Sequence, residues 1–131
     1  MATREIWHEI LINASPAELF QAVTDVKKLA HWWTIDVRGE SAVGKTLEFW
    51  FSGFCGSVME VTTLQPNELV RWHVNGGGAT DWIDTNIEFK IFSNKGKTFL
   101  HFRHSNWHED AEAFPHCSLG WAIFLSVSKN L

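Results

Sequence analysis

The sequence predicts an α+β fold in which an antiparallel sheet curls around a C-terminal helix. Three observations predict it. Phe114 to Leu131 reads as one helix that is apolar on nearly every side, and Gly120-Trp121-Ala122-Ile123-Phe124-Leu125 in its middle carries no charge. A surface helix shows one apolar stripe, so a helix apolar all round must be enclosed. It is too short to cross a bilayer. From Asp36 to Ser105 the hydrophobic pattern has a period of two, as strands do. A sheet apolar on one face needs a cover, and the terminal helix is the only element apolar enough to serve.

Ile6 to Ile12 is rich in β-branched residues and predicts a strand, with Ile6, His8, Ile10 and Ile12 on one face. Ser15, Pro16 and Glu18 then form a helix start: an N-cap, a proline at the first helical position and a capping-box acid. Leu19, Phe20 and Val23 give that helix its apolar stripe. A second short helix, Val26 to Trp33, carries Leu29, Trp32 and Trp33 on its apolar side.

About six strands follow. Lys45 to Ser52 alternates, with Leu47, Phe49 and Phe51 inward and Trp50 outward; Gly53 and Gly56 punctuate a turn. Ser57 to Leu64 is a strand without a defined face, and Gln65 to Glu68 a turn. Leu69 to Asn75 places Val70, Trp72 and Val74 together. Gly76-Gly77-Gly78 predicts a flexible loop. Trp82 to Phe92 sets Thr85, Ile87, Phe89 and Ile91 inward. After a hairpin loop at Ser93 to Gly96, Lys97 to Ser105 sets Thr98, Leu100, Phe102 and His104 inward.

Composition narrows the function classes. The 131 residues suit one domain with a real core. The net charge of -4 argues against nucleic-acid binding, which needs a basic footprint. Two distant cysteines, Cys55 and Cys117, form no disulfide framework, and no signal segment or membrane-spanning run is visible, so the expected location is cytoplasmic. Eight Trp and ten Phe with no Tyr supply large rings with few polar demands, suited to a bulky core or to the wall of a pocket.

The run Ile12 to Trp33, INASPAELFQAVTDVKKLAHWW, resembles the opening of START-like (SRPBCC, Bet-v-like) domains, nearest the branch named after the activator of the heat-shock-protein ATPase. Gly56-Ser57-Val58, Val61, Pro66, Leu69 to Trp72, Thr85-x-Ile87-x-Phe89, Thr98 to His104, Trp107 and Gly120-Trp121 continue the match in order. The resemblance implies a helix-grip fold: a seven-stranded curved antiparallel sheet around a long C-terminal helix, with two short helices after the first strand. It also implies an apolar cavity between sheet and helix. Family members usually continue the last helix slightly beyond Leu131, so this chain is expected to be short there. The superfamily holds lipid carriers, cyclases, receptors and co-chaperones, so the fold does not fix the function.

The expected cavity wall is Phe49, Phe51, Trp72, Phe89, Leu100, Phe102, Trp121 and Phe124, with Trp33 as a lid residue beside Trp32 and His31, and Cys117 and His104 among the lining groups. A close-packed core is the alternative for the same residues. His104 reads either as an acid/base or ligand-orienting group in an apolar pocket, or as a hydrogen-bonded structural histidine. His104, His108, His116 and Cys117 with Glu109, Asp110 and Glu112 are metal-capable types, but their spacing fits no zinc pattern. Neither metal nor other cofactor is expected, and Cys117 has no visible base to make it a nucleophile. Asp36 and Arg38 read as solvent-facing charges. Trp7, Trp50 and Phe99 fall on outward faces, which suits a homodimer contact.

Three functions follow. The leading one is binding of a small hydrophobic or aromatic molecule, lipid- or polyketide-like, in a carrier or sensor role. The alternative is a cyclase or dehydratase using His104. The third is a chaperone ATPase regulator.

Overall fold

The computed structural model describes residues 3–32, 36–51, 53–108, 111–112, 117–118, 120–122 and 125. Strand β1 (Thr3–Ile12) is followed by helices α1 (Pro16–Thr24) and α2 (Val26–Trp32). Then come β2 (Asp36–Gly39), β3 (Thr46–Phe51), β4 (Phe54–Gln65), β5 (Leu69–Gly76), a 3-10 turn (Thr80–Trp82), β6 (Asn86–Asn94) and β7 (Lys97–His108). Cys117, Ser118, residues 120–122 and Leu125 have helical backbone. The seven strands form one antiparallel sheet in the order β1-β7-β6-β5-β4-β3-β2. This is the α+β helix-grip arrangement that the sequence predicts; the full extent of the terminal helix lies outside the described residues.

The capping box holds. Ser15 Oγ accepts from the Glu18 amide and the Glu18 carboxylate accepts from the Ser15 amide, so two end donors are satisfied. The α1 stripe buries Leu19 and Val23, and α1 packs over β5 and β6. The inner face of the sheet buries Phe49, Trp72, Phe89, Leu100 and Phe102 completely.

Bulges curve the sheet, and they account for the places where period two fails. In β3–β4 the register passes from Phe49↔Ser57 to Trp50↔Cys55, leaving Gly56 as the extra residue. Gly56 therefore lies inside β4 rather than in the expected turn. Beyond this bulge Phe51 is exposed rather than inward, its ring seated where a Gly56 side chain would stand. The undefined face of β4 has the same origin: it also carries register shifts at Val58/Met59 and Val61/Thr63. In β7 the register jumps between Ile6↔His104 and Arg4↔Trp107, with Asn106 at φ 66. The extra residue turns Trp107 onto the same buried face as His104, and asparagine is a residue type that tolerates that backbone. The strand continues to His108, beyond the expected end at Ser105.

Two further expectations are corrected. Trp82 belongs to the 3-10 turn, and β6 begins at Asn86. The triple glycine is close-packed rather than a flexible loop. Gly77, at φ +104, would place a Cβ 2.6 Å from Ser57 Cα, and Gly78 would place one 2.0 Å from the Phe54 ring. Gly78 and Ala79 also donate to the Cys55 and Gly56 carbonyls. Asp36 and Arg38, on the outer face, bind each other through two hydrogen bonds of 3.0 Å. The Arg38 guanidinium lies 4.1 Å from the Trp50 ring centroid.

Gly77→Ala should lower stability by about 2 kcal/mol, because backbone strain adds to a main-chain clash. Gly96→Ala, with φ +77 but open space around its Cβ, should cost about half as much. Denaturant midpoints of the two variants check the ordering.

Candidate functional site

The inner face of the sheet is a chain of rings in contact. Centroid distances are 5.6 Å for Phe49–Trp72, 5.1 Å for Trp72–Phe89 and 5.3 Å for Phe89–Phe102. From Phe102 the chain steps to Trp121 on the terminal helix at 4.4 Å. At that point the helix rests directly on the sheet. Phe49, Trp72, Phe89, Phe102, Leu100 and Trp121 thus share one apolar layer. Trp33 and Phe124 lie outside the described residues, and so do His116, Glu109 and Asp110.

His104 sits at the end of this layer with no exposed surface. Trp121 donates its indole N–H to His104 Nδ1 at 3.0 Å. Nδ1 is therefore the acceptor, so the proton of the neutral ring is on Nε2. Nε2 is 2.7 Å from Thr85 Oγ1 and donates to it. The Thr85 hydroxyl in turn donates a hydrogen bond to the Trp82 carbonyl. The relay runs Trp121, His104, Thr85, Trp82, and each donor in it has an acceptor. Burial lowers the His104 pKa to about 3, because the imidazolium would lose its hydration there.

Trp82 closes the far side. Its ring stacks on Trp121 at 5.6 Å and meets His104 edge-on at 4.7 Å. Its indole N–H donates to Cys117 Sγ at 3.2 Å. Burial raises the Cys117 thiol pKa, which leaves it protonated and a poor nucleophile near neutrality. On β1, His8 Nε2 lies 3.2 Å from the Ser118 carbonyl. Sheet and helix are therefore joined by polar contacts at His104, Trp82 and His8. Among the described residues no three His, Cys, Asp or Glu side chains come together to hold a metal ion.

Sequence reasoning reached His104 and Trp121 but missed Trp82 and Trp107 as their partners, and missed His8 as the β1 contact to Ser118. Thr85 had a signal: it falls in phase with Ile87 and Phe89, a hydroxyl among apolar residues that requires a buried acceptor. Trp82 had none, since it enters from outside the strand.

A family model described as Activator of Hsp90 ATPase homolog 1-like protein matches residues 13–127. The chain is similar to an Aha1 from Colwellia psychrerythraea whose solution structure is a dimer. Identity is 40%, with 96% of this chain and 93% of that one covered at a TM-score of 0.87. A crystal structure of a Mesorhizobium loti protein shares the fold at 20% identity, covering 96% and 94% of the two chains with a TM-score of 0.85. CalU16 of Micromonospora echinospora does so at 17% identity, covering 97% and 73%, with a TM-score of 0.78. No match was found among curated proteins. No helix among the described residues is long and apolar enough to cross a membrane.

The depressed His104 pKa fixes a pH dependence. The unfolded chain takes up a proton near 6.5 and the folded one near 3. The unfolded state therefore binds more protons between these values. The contribution is complete above pH 6.5 and is lost as pH falls toward 3, amounting to roughly 5 kcal/mol. Denaturation across pH 7 to 4.5 should show this slope in the native chain and lose it in His104→Phe. The same variant should cost about 1–3 kcal/mol at pH 7, since it removes the acceptor of the Trp121 N–H while Thr85 keeps its bond to the Trp82 carbonyl.

Proposed function

Because the chain belongs to the activator of Hsp90 ATPase homolog 1-like family, we propose that it binds a small hydrophobic or aromatic molecule between the sheet and the terminal helix. Its role is that of a carrier or sensor, and it works as a homodimer. One observation carries the choice of binding over catalysis. His104 is the only fully buried ionisable side chain among the described residues, and both of its ring nitrogens are engaged. A proton-transfer group needs a free nitrogen aimed at substrate and a pKa near the working pH. His104 has neither, which counts against the cyclase or dehydratase alternative.

The wall for such a ligand is Phe49, Trp72, Phe89, Leu100, Phe102 and Trp121, with Cys117 beside Trp82 at its margin; Trp33 and Phe124, also expected to line it, lie outside the described residues. A ligand entering there must displace rings already in contact at 4.4 Å, such as Phe102 and Trp121. Binding therefore requires the helix to shift. The exposed Phe51 would belong to the mouth rather than the wall.

A second reading, regulation of a chaperone ATPase, is favoured by the family description and by the name of the Colwellia psychrerythraea relative. Stimulation of a purified chaperone's ATP turnover by this chain would support it.

A lipid, polyketide or aromatic binder at about 100 times its Kd should stabilise the fold by about 2.7 kcal/mol. That appears as a rise of several degrees in Tm, with a change in Trp emission. A chemically broad panel that moves neither quantity would contradict the binding reading.

A further inference from the structure

We infer that a second copy of this chain docks along the free edge of β1, antiparallel to it, with Trp7 against the partner's Leu11 and the two-fold axis at Glu9. This rests on the homodimer reading above and gives it a surface.

The two ends of the sheet differ. β2 is four residues long and carries the mutually bound Asp36 and Arg38. β1 is ten residues long, and among the described residues its ladder is to β7 alone. It contains neither proline nor lysine, the residues that commonly protect an edge. A long edge with open backbone donors and acceptors is a template for another strand. The outward residues of β1 include two of the large exposed hydrophobics, Trp7 at 48% and Leu11 at 42%. Behind them β7 and β6 supply His101, 4.8 Å from Trp7, and the stacked Phe92–Phe99 pair at 5.5 Å. A chain of rings, Trp7, His101, Phe92 and Phe99, thus runs inward across the outer face from the edge.

The register follows from three constraints. A two-fold interface is self-complementary, so residue i meets j and j meets i. Directly opposed residues of an antiparallel pair share a face, so their numbers sum to an even total. Trp7 opposite the partner's Leu11 meets both conditions and centres the pair on Glu9. Arg4, nearer the start of β1, reaches the Ala111 carbonyl at 3.4 Å, so that end already has a neighbour. The centre falls away from it. Glu9 is hydrogen-bonded to His101 on its own sheet, so each carboxylate at the axis already has a partner. The 40%-identical Colwellia psychrerythraea relative is a dimer, which is the independent reason to expect a second copy as the occupant.

Sedimentation of the full chain and two variants tests this. The native chain should be a dimer. Leu11→Lys should raise its dissociation constant at least tenfold, while Val43→Lys, also at an exposed apolar site but away from β1, leaves it unchanged. Glu9→Cys should form a disulfide-linked dimer on mild oxidation, since opposed Cβ atoms lie about 4.5–5.5 Å apart. A native dimer that Leu11→Lys does not weaken places the interface elsewhere and overturns this inference while the homodimer reading stands. Failure of the Glu9→Cys chains to link overturns the register. A monomeric native chain overturns both readings.

Discussion

The hydrogen bond from the Trp121 indole to His104 Nδ1 is the contact on which the arrangement of sheet and helix depends. Hydrophobic burial drives the terminal segment onto the sheet but is non-directional. A helix apolar all round can satisfy it in many rotations. A buried N–H cannot, because leaving it unpaired costs about 1–3 kcal/mol. Trp121 therefore selects one rotation, and Thr85 and Trp82 hold the acceptor in place from behind. The bulge in β7 matters for the same reason. Without the extra residue, Trp107 would face solvent and the wall beside His104 would be open.

Holding a histidine this way has a chemical consequence. The ring that anchors the helix must stay neutral, since a proton on Nδ1 would oppose the Trp121 N–H. The tether and an acid/base role thus compete for the same nitrogen. In this chain the tether has it. A molecule entering between sheet and helix would meet aromatic faces and a histidine already occupied, which fits the proposed binding role better than catalysis. Opening that space means moving Trp121, so the same bond sets how readily the cover lifts.

Much of this was legible in the sequence, and the failures share a cause. The capping box at Ser15, the alternation through Ile87, Phe89, Leu100 and Phe102, and the need to enclose the terminal helix all follow from local pattern. Those patterns located the sheet, its inner face and the cover. Phe51 was misplaced, the β4 face was undefined and Trp107 went unassigned because each lies at or beyond a bulge, and one inserted residue reverses the alternation after it. The triple glycine reads as freedom in one dimension, but here it lets β5 pass close to Gly56, Ser57 and Phe54. His104 was visible as a residue, but its role was not, because its partners come from a turn, the residue before β6 and a helix.

Nitrogen-15 NMR of the His104 ring between pH 7 and 4 tests the central claim most directly. The expected result is one neutral tautomer, protonated on Nε2 and bare on Nδ1, that does not titrate across the range. A His104 ring that titrates with a midpoint near 6.5, or that carries its proton on Nδ1 at pH 7, would contradict it.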